Sequence, residues 1–476
     1  MTRKDQRPED PRPDNVELLS AQLPITDFKG LFITLIAAVL CFGIYQILPY
    51  DINANKGIAV LLFVAILWFT EAVHITVTAL MVPVLAAVIG IPEMNVKTAL
   101  SGFADPIIYI FFGGFALATA LHMQRLDRKI ALWLISLSRG NMKIAVLAIF
   151  GVTAFLSMWI SNTATAAMMM PLALGMLKGL DVHKERRTLV FVLLGVAYSA
   201  SIGGIGTLVG SPPNAIAAAQ MGLGFTDWLK FGIPVVLIFM PVGIGLLYWV
   251  TRPNLSHQVS TEQVTIEWTG QRKTTLLIFL TTVLLWIGSQ PIAAALGGIP
   301  QFDTLIAMGA ILAIAVSRVA SWDDINQNTD WGVLLLFGGG LTLSAILKQT
   351  GANAFLAEHL SSGLSSMPIF VILLCLAAFV VFLTELVSNT ATAALLVPLF
   401  AGVAEALGVS PIVVSVLIAV GASCAFMLPV ATPPNAIVFA SGHIQQREMM
   451  RAGLVLNLVF TVILTMLAYF MGDILH

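Results

Sequence analysis

Two copies of one polar tripeptide stand out in a chain that is otherwise strongly apolar. Ser-Asn-Thr occupies residues 161–163 and again residues 388–390, inside the longer matches SNTATAAMMMPL and SNTATAALLVPL. These three residue types offer hydroxyl and amide oxygens, which are uncharged hard ligands of the kind that small hard cations prefer. The two tripeptides therefore predict two binding places for a cation such as sodium.

A second pair of motifs breaks the apolar segments. Residues 211–216 read SPPNAI and residues 432–437 read TPPNAI. Two consecutive prolines remove two N–H donors and disfavour helix at the preceding residue. Each motif therefore predicts an unwound point inside a span, after which Asn214 or Asn435 opens a half-helix. The N-terminal end of a half-helix carries partial positive charge and free N–H groups, so it can bind an anion.

The distribution of charge limits which groups can bind the substrate and which ion can drive transport. Residues 144–177, 188–229 and 349–446 hold all four motifs and contain no lysine or arginine. An anionic substrate must then be held by hydroxyls, amides, helix ends and nearby cations. A proton-driven transporter is expected to carry a carboxylate or histidine at its site, and the motifs contain neither. Glu385, three residues before Ser388, is the one nearby candidate for a proton carrier; structural hydrogen bonding and tuning of the cation site are its alternatives.

Three other interpretations of the motifs stay open at this point. Ser, Thr, Asn and small residues also hold membrane helices together, although two matched tripeptides, each followed by a matched Pro-Pro-Asn, favour a binding site. A channel would use the broken helices as a filter. An intramembrane enzyme would need a nucleophile with a base, or a metal cluster, and no histidine or carboxylate within the motifs supplies one.

The composition places these motifs in lipid. Of the 476 residues, 58% are hydrophobic and 10% are charged, against about 25% charged in soluble domains. The net charge of −1 gives no sign of nucleic-acid binding. Cys41, Cys375 and Cys424 lie in apolar stretches without metal-ligand spacing, so they are interpreted as packing residues. We therefore predict an all-α polytopic membrane protein.

The apolar stretches are the elements that must position the motifs, and each crossing needs about 20 apolar residues. Eleven crossings are predicted, at 29–48, 57–72, 75–92, 104–123, 188–221, 228–251, 273–292, 302–318, 331–347, 409–440 and 452–474. Two further stretches, 141–179 and 367–404, break at Ser-Asn-Thr and are predicted to be re-entrant hairpins. Residues 124–140 and 349–365 beside them are predicted to be helices lying along the membrane interface.

Basic residues orient these crossings. With the N-terminus in the cytoplasm, all but four of the 24 Lys and Arg residues fall on the cytoplasmic side, as positive-inside topology requires. The exceptions are Lys56, Lys97, Lys230 and Lys348. The chain is therefore predicted to begin with a cytoplasmic tail over 1–28 and to end outside the cell.

The motifs recur in the same order, which is the mark of an internal repeat. Residue 161 recurs as 388, residue 211 as 432, and Phe112-Gly113-Gly114 as Phe337-Gly338-Gly339, with offsets of 227, 221 and 225. Domain boundaries are predicted as a first span and loop (29–56), repeat 1 (57–251), a cytoplasmic connector (252–272) and repeat 2 (273–476). Each repeat holds five crossings, an odd number, so the two should be inverted and should enclose the substrate site at their interface.

Ser-Asn-Thr at paired hairpin tips, together with Pro-Pro-Asn in broken helices, resembles the divalent anion:sodium symporter family, whose bacterial sodium/dicarboxylate members are called INDY transporters. The resemblance covers nearly the whole chain beyond the N-terminal tail. It implies eleven spans plus two hairpins, a homodimer, and an elevator-like movement of a transport domain against a scaffold.

The resemblance also implies site residues. The first sodium site would comprise Ser157, Ser161, Asn162 and Gly210. The second would comprise Thr384, Ser388, Asn389 and Ala431, and the duplication supports this pairing because residue 157 recurs as 384. The dianionic substrate would contact Asn162, Thr163, Ser211, Pro212, Asn389, Thr390, Thr432 and Pro433.

Together these observations predict a secondary transporter, not an enzyme, in a bacterial inner membrane. It would couple sodium entry to uptake of a small divalent anion, foremost a C4 dicarboxylate such as succinate, malate or fumarate. Sodium is the expected coupling ion, and no cofactor is expected. Citrate or sulfate as substrate, and exchange in place of symport, stay open because uncharged site residues could serve any of them.

Overall fold

The architecture is known from a computed structural model, which describes residues 28–178, 180–181, 184–258, 266–364 and 366–475. Over these residues the chain is helical, with one isolated β-bridge between Asn141 and Gln258. The tail predicted over 1–28, except its last residue, and the middle of the connector predicted over 252–272 lie outside the described residues.

The first half of the chain forms eleven of the described α-helices and one 3₁₀ turn. They are α1 (Phe28–Ile47), α2 (Ile52–Thr70), α3 (Ile75–Val88), α4 (Val96–Leu100), the turn Ser101–Ala104, α5 (Pro106–Met123), α6 (Leu126–Ser136), α7 (Met142–Ser157), α8 (Asn162–Met176), α9 (Arg186–Gly203), α10 (Pro212–Met221) and α11 (Phe225–Thr251).

The second half of the described chain forms eleven more. They are α12 (Gly270–Ile287), α13 (Ser289–Ala295), α14 (Phe302–Ser317), α15 (Trp322–Asn328), α16 (Trp331–Gln349), α17 (Ala352–Leu364), α18 (Ile369–Leu383), α19 (Asn389–Ala406), α20 (Pro411–Ala422), α21 (Pro433–Ala440) and α22 (Gln446–Leu475). In each half an amphipathic helix (α6 or α17) is followed by two helices joined at Ser-Asn-Thr, two helices separated by an unwound segment, and a long final helix.

Seven helical segments of the described chain are long and apolar enough to cross a membrane. They are α1, α2, α4 with α5, α11, α16, α19 and α22, and the bent pair α12–α13 makes an eighth candidate. Five apolar helices, α3, α7, α14, α18 and α20, have only 10–17 residues. Helices α7, α18 and α20 belong to the predicted hairpins and to a broken span, where a helix crosses only part of the bilayer, whereas α3 and α14 are shorter than the crossings predicted for them. The count of eleven crossings stays a prediction.

Two predicted spans differ from the structure. Helix α2 begins at Ile52, not at residue 57, because the Asp51 side chain caps it by accepting a hydrogen bond from Asn53 N at 2.9 Å. The span predicted over 273–292 is two helices, α12 and α13, with a bend of 75° between them. Polar Ser289 and Gln290 lie at the bend.

The half-helices after the Pro-Pro motifs also begin earlier than predicted. Helices α10 and α21 start at Pro212 and Pro433, two residues before the asparagines, with Ser211 and Thr432 in the N-cap positions. Proline is accepted in the first turn of a helix, where its missing N–H would have no partner. The unwound segments are longer than predicted, and we call residues 204–211 the first break and residues 423–432 the second break.

Helices of the two halves pack on each other in a reciprocal pattern. Helix α10 contacts α19 and α21 contacts α8, while α5 contacts α14 and α16 contacts α3. A side chain at Gly113 would meet Ala307 Cβ at 2.7 Å, and one at Gly339 would meet Ala79 Cβ at 2.6 Å. The repeated Phe-Gly-Gly therefore serves close helix contact between the halves.

The final helices of the two halves cross at a pair of matched phenylalanines. Phe239 on α11 and Phe460 on α22 are fully buried, and their rings stack with centroids 4.2 Å apart and an interplanar angle of 11°. The two positions differ by 221, as do the Pro-Pro-Asn motifs. Contact between matched residues is what a two-fold axis relating the halves would produce. Their inversion across the membrane stays a prediction.

Candidate ion-binding site

The first site forms where a hairpin tip meets a broken helix. Ser157 ends α7 and Asn162 begins α8, on either side of the first Ser-Asn-Thr turn. The Ser157 hydroxyl donates to Ala200 O of α9 at 2.7 Å. One heteroatom of the Asn162 amide lies 2.6 Å from Ser157 Oγ, 3.2 Å from Ala200 O and 3.3 Å from Gly210 O of the first break. Three elements thus bring oxygens to one place.

The Asn162 amide can serve this place in two orientations. With its NH₂ group turned toward the three oxygens it donates to them, which is the favourable arrangement without a cation. With its carbonyl oxygen turned inward, that oxygen can accept from the Ser157 hydroxyl and lies beside the carbonyl oxygens of Ala200 and Gly210, an arrangement that a cation would stabilise. The site therefore has the donor set of a hard cation, built from one hydroxyl, one amide and two backbone carbonyls.

Two glycines make room for this arrangement. A side chain at Gly204, the first residue of the first break, would overlap the Asn162 amide. A side chain at Gly210 would press on the Gly204 carbonyl. The approach of hairpin to break at the first site therefore requires glycine at both positions.

The second site repeats the hairpin half of this geometry. Thr384 Oγ1 lies 2.7 Å from Asn389 Oδ1 and donates to Ala422 O, at the end of α20, at 2.9 Å. The structure thus brings Thr384 and Asn389 together. Ala431 belongs to the second break, and its part in this site stays a prediction.

The remaining predicted cation ligands stand at helix starts. Ser161 is the N-cap of α8, and its side chain accepts a hydrogen bond from Ala164 N at 3.3 Å. Ser388 is the N-cap of α19 and makes no side-chain capping bond. Capping occupies Ser161 Oγ with its own helix, while Ser388 Oγ is free of that role.

The predicted substrate ligands lie on both breaks and both tips, in unlike surroundings. Ser211 is buried and its Oγ lies 3.4 Å from Ser423 Oγ, so the two breaks meet there. Thr432 Oγ1 accepts from Asn435 N at 3.3 Å. Thr390 is buried whereas Thr163 is exposed. Pro212 is half-buried, and its counterpart Pro433 is exposed. Each half therefore presents a different part of its motif to the surroundings.

Asn214 and Asn435 were predicted only to open half-helices, and the structure gives them a larger role. Asn214 Nδ2 donates to Gly204 O at 2.8 Å and to Thr207 O at 2.7 Å, across the first break. The matched bonds in the second break, both 3.1 Å long, run from Asn435 Nδ2 to Ala425 O and Leu428 O. Both asparagines are fully buried, and through these bonds they hold the unwound backbone of the breaks.

The final helix of each half also supports its break. A side chain at Gly232 of α11 would lie 2.6 Å from the carbonyl oxygens of Ile205 and Gly206. A side chain at Gly453 of α22 would overlap the Phe426 carbonyl. These glycines differ by 221, and that offset was the only sign in the sequence that could have identified them.

Other candidate features lie apart from this site. Among the described residues, no group of three His, Cys, Asp or Glu side chains could hold a metal. Cys41 and Cys424 are buried, as packing residues should be, but Cys375 is exposed and that interpretation is wrong for it. A cavity of about 290 Å³ beside Asp105 and Asp303 is lined by none of the predicted ligands.

Broken helices that meet hairpin tips define a class of proteins, the secondary active transporters. The fold is similar to that of a solved transporter. The Alcanivorax borkumensis YdaH transporter superposes with a TM-score of 0.54 at 16% identity, over 78% of this chain and 86% of that one.

The chain belongs to the CitMHS citrate transporter family, whose pattern it matches over residues 65–421. It is 51% identical over 448 residues to an uncharacterized transporter of Haemophilus influenzae, covering 93% of this chain and 97% of that protein. It is 32% identical over 487 residues to the sodium-dependent dicarboxylate transporter SdcS of Staphylococcus saprophyticus, covering 93% of this chain and 91% of that protein. The resemblance to divalent anion:sodium symporters is thereby confirmed, and the protein is a membrane transporter, not an enzyme.

Proposed function

We propose that this transporter couples the entry of sodium to the uptake of a small divalent anion, foremost a C4 dicarboxylate such as succinate, malate or fumarate, across a bacterial plasma membrane. The observation that carries the proposal is the pair of oxygen clusters at the hairpin tips, Ser157 with Asn162 and Thr384 with Asn389. The relationship to a sodium-dependent dicarboxylate transporter supports it.

Sodium suits these clusters better than a proton does. Hydroxyl, amide and backbone carbonyl oxygens are neutral near physiological pH, so they coordinate a hard cation but have no proton to exchange. Ser157, Asn162, Thr384 and Asn389 are all of this kind. An ion bound at each tip would lie beside the helix starts where the substrate is proposed to bind, and its charge would compensate that of the dianion.

The anion would be held mainly by the starts of α8 and α19. The first N–H groups of any helix have no partner within it, and in these helices they belong to Asn162 and Thr163, and to Asn389 and Thr390. Helices α10 and α21 begin with two prolines, so they contribute the helix dipole but not the first two N–H donors. Hydroxyls at Ser211 and Thr432 would add contacts on the breaks.

We also infer an elevator-type mechanism in a homodimer. The hairpins and breaks of the two halves pack on each other, α10 on α19 and α21 on α8, so they can move as one body. Helix α16 contacts both α10 and α19, and α3 contacts α16, which makes α3 and α16 part of the surface against which that body would move. Native mass spectrometry in detergent is expected to give a dimer; a monomer at all concentrations would contradict the assembly.

Uptake into proteoliposomes tests the proposal. Labelled succinate is expected to accumulate with an inward sodium gradient and not with potassium in its place. Unlabelled malate and fumarate should compete, and sulfate is compared at the same concentrations. Accumulation driven by a pH gradient in sodium-free buffer would contradict sodium coupling. Succinate uptake that needs succinate preloaded inside, with no sodium dependence, would identify an exchanger.

Citrate is the second candidate substrate, because the family is described by it. The uncharged ligands and helix starts would bind a citrate carboxylate pair as readily as a C4 dicarboxylate. Competition that is stronger with citrate than with malate in the same vesicles would favour citrate.

A further inference from the structure

A buried carboxylate holds the second break. Glu385 is 3% exposed and directly follows Thr384 at the second hairpin tip. Its Oε1 accepts from Phe426 N at 2.7 Å and Met427 N at 2.9 Å, and its Oε2 accepts from Leu428 N at 3.0 Å. Asn457 Nδ2 of α22 donates a fourth bond, 2.7 Å long, to Oε1.

These bonds pair backbone N–H groups that have no helical partner because the chain is unwound in the break. Three consecutive backbone N–H groups outside a helix require acceptors in lipid, where an unpaired one costs several kcal/mol. Such successive N–H groups form a concave site for an anion. An ionised carboxylate meets that need because it only accepts hydrogen bonds. Within the described chain no Lys, Arg or His forms an ion pair with Glu385, so its charge has no protein counter-ion.

The first half joins tip to break in another way. The position matched to 385 by the offset of 227 is Met158, which has no charge. There the Thr207 hydroxyl donates to the Met158 backbone carbonyl. Thr207 is matched to Leu428 by the offset of 221, so the same two places are joined in both halves. The link is neutral at the first site and carries a negative charge at the second.

The carboxylate also sits among contacts that fix the second site. The Tyr198 hydroxyl of α9 donates to Phe426 O at 2.8 Å, and Gly453 of α22 presses against the same carbonyl. Thr384, the neighbour of Glu385, contacts Asn389 and the carbonyl of Ala422 just before the second break. A change in the Glu385 bonds would therefore reach the second site through both the tip and the break.

We propose that Glu385 is a positioning residue that makes the two sodium sites unequal. It fixes the second break against the second hairpin tip and places a negative charge beside that site alone. Sodium therefore occupies the second site with higher affinity than the first. This inference rests on the proposed function, since it assigns roles within the proposed sodium sites.

Glu385→Gln removes the negative charge of the side chain while keeping its shape. A glutamine oxygen in the place of Oε1 keeps the bonds from Phe426, Met427 and Asn457, while its NH₂ group faces the Leu428 N–H and the charge is lost. The sodium concentration for half-maximal succinate uptake is expected to rise about tenfold or more, with the rate at saturating sodium little changed. Glu405→Gln, the same change at an exposed position at the end of α19, is the control. It should leave the half-maximal sodium concentration and the rate at saturating sodium unchanged.

A second measurement needs neither sodium nor transport. Hydrogen–deuterium exchange of the sodium-free protein should show residues 426–428 protected in the wild type and faster to exchange in Glu385→Ala and Asn457→Ala. Residues 205–207 of the first break should be unchanged in both variants. This result stands even if the protein proves not to be sodium-coupled, so failure of the proposed function and failure of this inference can be told apart.

Three results would overturn the inference. One is an unchanged sodium requirement in Glu385→Gln, measured in protein that transports at the wild-type rate. Another is unchanged exchange at residues 426–428 in Asn457→Ala, the milder variant that serves if Glu385→Ala does not fold. Uptake driven by a pH gradient in the wild type and abolished in Glu385→Gln would also overturn it, because the carboxylate would then carry the proton.

Discussion

Asn162 and Asn389 are the residues on which the proposed ion binding would depend, because an amide can present an oxygen or an NH₂ group from one place. At Asn162 the NH₂ group can donate to the surrounding oxygens without a cation, and the amide oxygen would join the ligand set of a bound one. A carboxylate could not alternate in this way, and a hydroxyl would reach fewer partners. An amide at this place would therefore suit the proposed site both empty and occupied.

Replacing either asparagine with alanine should weaken sodium and substrate affinity together. A hydrogen bond to a charged group contributes about 1.5–3 kcal/mol, or roughly ten- to a hundred-fold in affinity. The two ligands bind at linked sites, so coupling between them is reciprocal. The measurement is the rise in melting temperature with sodium and succinate, for Asn162→Ala and Asn389→Ala.

Asn328→Ala serves as the control, because the Asn328 side chain donates only to the backbone carbonyl of Asp324 in an exposed helix. It should keep the full ligand-induced rise. Normal stabilisation of either site variant by both ligands would place the site elsewhere. A low melting temperature with normal affinities would instead support a role in helix packing.

The residue types of the site were predictable, but the residues that hold it were not. Two copies of Ser-Asn-Thr, each followed by a matched Pro-Pro-Asn, predict the ligands because one pattern of neutral oxygens recurs at matched places in both halves. Asn214, Asn435 and Glu385 form hydrogen bonds with backbone groups of the breaks. The sequence does not show which backbone groups lack a partner within a helix. Only the path of the unwound chain shows which N–H and C=O groups require a partner.

At the scale of elements, the breaks depend on the helices behind them. Helices α11 and α22 lie against the first and second break through Gly232 and Gly453. Among 38 glycines neither is distinguished by its neighbours in sequence. The Pro-Pro motifs marked where each break ends. The start of the first break is marked by Gly203-Gly204, whereas Ser423 follows α20 without such a signal.

Gly232→Ala should weaken the first sodium site and Gly453→Ala the second, by moving the backbone of the adjacent break. Inserting a methyl group into a packed contact costs about 1–3 kcal/mol, so both variants should melt at lower temperature and need more sodium for uptake. Gly245→Ala on α11 is the matched control, because its new methyl group would meet nothing within 4 Å. Equal sodium dependence in all three variants would contradict the supporting role of the final helices.

For the whole molecule, the order of elements followed from the sequence, whereas the number of crossings did not. The repeat of three motifs at similar offsets predicted two similar halves, and helices recur in one order in both. A helix is assigned as a crossing mainly from its length, however. Length alone does not show whether the short helices cross the membrane, and these are α3, α7, α14, α18 and α20. Their place in the bilayer depends on the helices packed around them.

The inverted arrangement predicts that matched positions face opposite sides of the membrane. Arg139 and Ser366 are exposed, lie just before α7 and α18, and differ by 227. With Cys41, Cys375 and Cys424 replaced by serine, Arg139→Cys should react with an impermeant maleimide only from the cytoplasm. Ser366→Cys should react only from outside. Labelling of both from one side in intact cells would mean that the halves run parallel.

The stacked rings of Phe239 and Phe460 bear on how such a chain could arise. A residue on a two-fold axis meets its own counterpart. If the two halves descend from one gene, the ancestor was a dual-topology dimer in which a single codon specified both rings, and every substitution there changed the contact twice. Fusion gave each ring its own codon. Other matched positions have since diverged, as Met158 and Glu385 show, yet both sides of the axis still carry phenylalanine.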